Sequence, residues 1–145
     1  MREVDECMGA LADIVSIDCT DTQRGDGLTA PEFLQTVKEK YPNIIIMADC
    51  ATLEEARAAH EAGADLVGST MNGYTAATAH CKGDPNYELV EQMVKALPCP
   101  VIAEGRVHTP EQAKKMLDLG AWAVVVGGAI TRPLEIANRF MAVIR

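Results

Sequence analysis

The sequence predicts a parallel α/β protein. Two regularities carry that prediction: short apolar runs alternate with capped helical segments along the 145 residues, and one two-unit stretch recurs at a fixed distance. The recurrence joins Thr52-Leu-Glu-Glu-Ala56 to Thr109-Pro-Glu-Gln-Ala113 and Ala62-Gly-Ala64 to Leu119-Gly-Ala121, each pair 57 positions apart. A third observation narrows the class. Every apolar run stops at polar or glycine residues: Asp18, Asp49, Ser69-Thr70, Glu104-Gly105 and Gly127-Gly128. Functional side chains at the C-terminal ends of many successive strands mark a (β/α)8, or TIM, barrel, usually with a phosphate site after the last two strands. Eight units take roughly 250 residues, about 31 each, so this chain holds between four and five units and cannot close a barrel alone. An open, flavodoxin-like sheet of five strands also fits the length, but there the ligand loops cluster at one switch point.

Taken in order, residues 2–12 read as a helix, with Val4, Cys7, Met8 and Leu11 at helical spacing and no cap in front. Asp13-Ile-Val-Ser-Ile-Asp18 is a β-branched run, the first strand. A polar loop follows, then Thr29-Ala-Pro-Glu32 opens a helix with a capping box, and Pro42 ends it. Ile44-Ile-Ile-Met-Ala48 is apolar throughout, as expected of a strand buried on both faces. Thr52 and Glu55 cap the next helix and Gly63 closes it; Asp65 to Thr70 makes the third strand, and a long loop runs from Met71 to Gly83. Asp84-Pro85 fits an N-cap with proline at the first helical position, ahead of a helix over 86–97. Val101-Ile-Ala103 is the fourth strand. Thr109 and Gln112 cap the following helix, Gly120 ends it, Ala123 to Val126 is the fifth strand, and a last helix covers about 133–144. The uncapped opening in mid-pattern suggests a missing N-terminal part.

Composition excludes several classes. With 21 acidic against 13 basic residues the formal charge is −8, and no basic cluster stands ready for phosphodiesters, so nucleic acid is not an expected partner. Apolar stretches fall far short of the roughly 20 residues a membrane span needs, and no signal-peptide pattern opens the chain; a soluble, cytoplasmic protein is expected. Five cysteines (Cys7, Cys19, Cys50, Cys81, Cys99) at scattered spacings argue against a disulfide framework or a zinc site and read as buried reduced thiols.

The chemistry-bearing residues cluster at strand ends. Gly127-Gly128 opens a short helix, so its unshielded N–H groups suit a phosphate, with Gly105 on the adjacent strand end and Arg132 nearby; a tight turn needing glycine only for its φ angles is the plain alternative. Glu104 ends an apolar strand beside that turn. A partly desolvated carboxylate there can serve as general acid or base; an ion pair with Arg106 is the competing reading. Asp49 and Asp18 end the two earlier strands and could hold sugar hydroxyls or cap their loops. His60, His80 and His108 have no acid or thiol at ligand spacing, so no metal is expected.

The strings Ile46-Met-Ala-Asp-Cys-Ala-Thr-Leu-Glu-Glu55, Gly68-Ser-Thr-Met-Asn-Gly-Tyr-Thr75, Ala103-Glu-Gly-Arg-Val-His-Thr-Pro-Glu-Gln-Ala113 and Val125-Val-Gly-Gly-Ala-Ile-Thr-Arg-Pro133 together resemble the bacterial N-acetylmannosamine-6-phosphate 2-epimerases of sialic acid breakdown. The resemblance spans essentially the whole chain. It implies a (β/α)8 TIM barrel of which residues 1–145 supply strands four to eight as one partial domain, without the first three βα units. It implies conversion of N-acetylmannosamine 6-phosphate to N-acetylglucosamine 6-phosphate by proton transfer at C2. Glu104 matches the family's acid/base Glu on the seventh strand. The family's Lys on the third strand has no counterpart, because Lys38, Lys40, Lys82, Lys95, Lys114 and Lys115 all lie away from strand ends, so the chain alone is expected to be weak or inactive. By the same resemblance Asp49 and Arg132 bind substrate and Gly105, Gly127 and Gly128 the phosphate; Asp18 and Thr70, from their strand-end positions, are further expected substrate contacts. No cofactor is implied, since proton transfer beside a carbonyl proceeds with acid/base groups alone. A small sugar phosphate is the expected partner, and uncovered strand edges predict a homo-oligomer. A non-catalytic phosphosugar-binding or assembly module, or another phosphate-binding barrel enzyme, remains the alternative.

Overall fold

The computed structural model describes residues 1–144. Helix α1 (Arg2–Gly9) leads into strand β1 (Ile14–Asp18), and the chain then alternates α2 (Ala30–Lys40), β2 (Ile45–Asp49), α3 (Leu53–Glu61), β3 (Leu66–Gly68), α4 (Tyr87–Ala96), β4 (Val101–Ala103), α5 (Pro110–Asp118) and β5 (Ala123–Val124), ending with α6 (Gly128–Thr131) and α7 (Pro133–Ile144). The five strands are parallel and lie in chain order, β1-β2-β3-β4-β5. A flavodoxin-like sheet reverses direction at a switch point, and this one does not. Right-handed crossovers in an unreversed order carry all helices to one face, and α2, α3 and α4 indeed pack on one another in sequence.

The core lies between the sheet and those helices. Val15, Ile17, Ile46, Ala48, Val67 and Val101 point from the strands toward Leu34, Val37, Val90, Met93 and Met116 of the helices, all buried. The opposite face carries the alternate residues, and there β2 departs from the expectation of burial on both sides: Ile45 is 44% exposed and Ile14 beside it 49%. An apolar run therefore marks contact with helices on one face only. β1 and β5 each have one strand neighbour, and no residue of α7 is buried, with Leu134 and Phe140 exposed.

The capping signals form as the sequence directs. Thr29, Thr52 and Thr109 each accept from the N3 backbone N–H while Glu32, Glu55 and Gln112 reach back to the cap, so two orphan donors are satisfied at each helix start. Gly63 and Gly120 follow the ends of α3 and α5 at φ +105° and +98°. A Cβ on Gly120 would stand 2.8 Å from Val94 Cγ1, so backbone conformation and packing both demand glycine there. The proline signal before α4 misdirects. Asn86, and not Asp84, is the cap, accepting from Leu89 N at 3.0 Å, while Asp84 accepts from Gln112 Nε2 across to α5. The third and fifth strands, Leu66–Gly68 and Ala123–Val124, are shorter than expected, although the residues after them still bond to β4: Ser69 N donates to Ile102 O at 3.2 Å and Val125 N to Ala103 O at 2.9 Å. All five cysteines are free. Only Cys19 and Cys50 are buried, while Cys7 is exposed and Cys81 and Cys99 are intermediate, which corrects the expectation that all are core thiols.

Candidate functional site

The strand C-termini bring acidic and hydroxyl side chains together on the open face. Register sets Asp18 beside Asp49 and Asp49 beside Gly68, and alternation then projects Asp49, Thr70 and Glu104 to the same side. Thr70 Oγ1 lies 2.6 Å from Asp49 Oδ1 and 3.2 Å from Glu104 Oε2, so one hydroxyl joins carboxylates from two different strands. Ser16, two residues before Asp18 on the same face, donates to the other oxygen of Asp49. Gly68 makes room: a Cβ there would meet Thr70 Oγ1 at 2.9 Å.

Glu104 is half-buried and, among the described residues, has no cationic partner. Burial, and then the negative charge of Asp49, push its carboxyl above the usual 4.5. Its backbone is fixed by the neighbour of Thr70. The buried Ser69 hydroxyl donates to Glu104 O at 2.8 Å and accepts from Glu104 N at 3.0 Å, so both main-chain groups of Glu104 are held by one side chain.

Arg106 does not pair with Glu104. Its guanidinium instead reaches the long loop after β3, donating to Asn72 O at 3.1 Å, to Asn72 Oδ1 at 3.0 Å and to Cys81 O. Gly73 is required for this, since a Cβ there would collide with Arg106 Nη1 at 1.9 Å and with Cys81 O at 2.5 Å. Arg106 itself sits at φ +59°, directly after Gly105 at φ +101°, so two successive left-handed residues turn the chain away from Glu104.

A recess of about 490 Å³ opens beside Glu104, lined also by Thr70, Gly105, Arg106, Gly127, Gly128 and Arg132, with Tyr74 and His108 at its margin. Arg132 is paired with Glu135 at 2.7 Å, and both side chains are substantially exposed. A larger recess of about 680 Å³ lies outside the strand ends, between loop 19–28 and the starts of α2 and α3; it contains none of the inward carboxylates Asp18, Asp49 or Glu104. Asp18 does not join the cluster through hydrogen bonds. It accepts from Thr20 N and Thr20 Oγ1, the loop-capping arrangement that a strand-end aspartate commonly makes. His60 faces Ala64 O and stands apart from the recess. Among the described residues no group of three or more His, Cys, Asp or Glu is arranged to hold a metal, and no helix is long and apolar enough to cross a membrane.

Of the residues singled out from the sequence, Glu104, Thr70 and Asp49 therefore meet, and Gly105, Gly127, Gly128 and Arg132 line the recess next to them. Ser16 is foreshadowed by period-two spacing from Asp18. Ser69 and Arg106 carry no such signal, because their partners come from segments 34 and 35 positions away.

A parallel βα-repeat protein with acids at its strand ends and a glycine turn beside them belongs to the broad class of parallel α/β proteins. Within that class the chain belongs to the family described as "Putative N-acetylmannosamine-6-phosphate epimerase", which it matches over residues 1–145. A protein of Caldanaerobacter subterraneus named "Putative N-acetylmannosamine-6-phosphate 2-epimerase" is 50% identical over all of this chain and 61% of its own length, and one of Enterobacter sp. with the same name is 45% identical over 99% and 62%. The solved N-acetylmannosamine-6-phosphate 2-epimerase from Clostridium perfringens is similar at a TM-score of 0.90 and 40% identity, over 99% of this chain and 61% of that one. A thiamine phosphate pyrophosphorylase from Pyrococcus furiosus is similar at 0.66 and 25%, over 88% and 55%. The chain thus spans about six-tenths of the length of the curated relatives it matches.

Proposed function

We propose that this chain supplies the acid/base carboxylate and the phosphate seat of an N-acetylmannosamine-6-phosphate 2-epimerase. The observation that carries the reading is Glu104, held on both main-chain groups by Ser69 and biased toward its protonated form, facing a recess with the Gly127-Gly128 turn. Inverting C2 of the opened sugar requires a proton to leave one face and return on the other, and a carboxyl that holds its proton above the ordinary carboxylate range suits one of those steps. Arg132 would hold the phosphate bidentately after releasing Glu135, with Gly105, Gly127 and Gly128 offering backbone N–H groups, and Asp49 would orient the sugar. Asp18, committed to Thr20, would act through its loop.

The five units form the C-terminal part of a (β/α)8 barrel in this reading. The unreversed strand order, the half-exposed inner face at Ile14 and Ile45, and the two single-neighbour edges support it. So does length: 145 residues are 61% of the Caldanaerobacter relative, which leaves about 93 residues of that protein unmatched, three units at about 31 each. The second acid/base group would come from those units.

Binding tests the reading. Titrating the ¹⁵N-labelled chain with N-acetylmannosamine 6-phosphate should move the amide signals of Gly105, Gly127 and Gly128, and Arg132→Ala should weaken binding about tenfold or more. Equal affinity for the sugar without phosphate would refute the phosphate seat.

A further inference from the structure

The hydroxyl of Thr70 has one proton and two carboxylates within reach. It lies 2.6 Å from Asp49 Oδ1 and 3.2 Å from Glu104 Oε2, so the proton belongs to Asp49 and the oxygen's lone pairs are left facing Glu104. An ionised Glu104 would meet those lone pairs unfavourably. A protonated Glu104 can donate to them, and the chain of donors then runs in one direction: Glu104 Oε2–H to Thr70 Oγ1, Thr70 O–H to Asp49 Oδ1, with Ser16 donating to Asp49 Oδ2 from the other side. We propose that Thr70 is a positioning residue that commits its proton to Asp49 and its oxygen to Glu104, so that Glu104 is held as the proton-bearing member of the pair.

The surroundings agree with that assignment. Asp49 receives two hydroxyl donors, one on each oxygen, whereas Glu104 has only the longer contact to Thr70. The charged and titratable groups around Glu104 are Asp49 from β2, Asp18 at the end of β1, Arg106 in its own loop, Tyr74 in the loop after β3, and His108, Arg132 and Glu135 across the recess. Of the cations, Arg106 is turned to Asn72 and Cys81 and Arg132 to Glu135, so neither neutralises Glu104 in place of a proton. Burial and the charge of Asp49 act in the same direction on Glu104. Gly68 keeps the bridge open, because any side chain there would press on the Thr70 hydroxyl.

The proposal rests on reading Glu104 as the acid/base group, but its test reads the proton directly and needs no turnover, so the two can fail separately. The chain carrying ¹³C at glutamate carboxyl carbons is titrated by NMR, with Glu104 assigned through Glu104→Gln. In the unaltered chain Glu104 should stay protonated above the ordinary 4.5, and a midpoint at or below that value overturns the proposal. Thr70→Val removes the acceptor of the Glu104 proton and should lower the midpoint by about 0.5 to 1 on the pH scale, and Thr70→Ser should restore it. If Thr70 instead donates to an ionised Glu104, Thr70→Val raises the midpoint. A rise, or no change, therefore refutes the assignment.

Discussion

Arg106 offers a test of how the site is braced, since three substitutions at that one position should separate side-chain contacts from backbone strain. Its guanidinium spans three acceptors on the loop after β3, Asn72 O, Asn72 Oδ1 and Cys81 O. Hydrogen bonds from a charged donor contribute roughly 1.5 to 3 kcal/mol each when buried; discounting for partial exposure and shared geometry leaves about 2 to 4 kcal/mol for the set. Arg106→Ala should therefore lower the melting temperature by roughly 4 to 16 °C, at about 2 to 4 °C per kcal/mol for a chain of this size. Arg106→Lys should recover little, because a single ammonium cannot span a planar fork's three acceptors. Arg106→Gly loses the same contacts but relieves the left-handed backbone at φ +59°, and should be more stable than the alanine variant by about 1 kcal/mol. Differential scanning calorimetry with hydrogen exchange over residues 71–83 reads both effects. A lysine variant that melts with the wild type, or a glycine variant less stable than alanine, would contradict this role of Arg106.

Two further predictions concern titration and thiol chemistry. Glu104 has its folded pKa raised above the unfolded 4.5, so the folded state binds the extra proton between the two values; the resulting stability is complete below 4.5 and is lost as pH rises through the folded pKa. Thermal melts across that window should show wild type losing ground to Glu104→Gln as pH increases, and parallel curves would contradict the shift. Cys19 is pushed up to about 12 by burial and by the nearby Asp49 and Asp18 carboxylates, and burial raises Cys50 as well. Iodoacetamide near pH 8 should label the exposed Cys7 and leave those two unmodified by mass spectrometry; rapid native labelling of Cys50 would show that the β1–β2 end is not packed as described.

The parts of the fold that sequence anticipates are those fixed by neighbours in the chain. Thr29, Thr52 and Thr109 each find a partner three residues on, and Gly63 and Gly120 answer to a local φ, so five helix-boundary features follow from short-range chemistry. Asp84-Pro85 shows the limit of the same logic. Its cap signal is sound in isolation, but Asp84 is drawn to Gln112 on a neighbouring helix and Asn86 takes the cap. Burial of β2 was legible on one face only, since an apolar run does not say whether anything covers its second side. Within the site, strand-end position singles out Asp49, Thr70 and Glu104, and register brings them together. Asp18 occupies the same kind of position yet is taken by Thr20, and Arg132 by Glu135 three residues on. The Ser69 clamp and the Arg106 staple depend on loops meeting across the sheet, which no local pattern encodes.

The most direct test of the account is proton exchange at the sugar's C2. In D₂O with N-acetylmannosamine 6-phosphate, the chain alone should incorporate no deuterium at C2. The same chain with the roughly 93 unmatched residues of the Caldanaerobacter relative restored as in that protein should exchange it, and Glu104→Gln in that fusion should slow exchange about a hundredfold or more. Exchange by the chain alone at the fusion's rate would contradict the need for a second group from outside these five units. Exchange undiminished in Glu104→Gln would remove Glu104 from the chemistry.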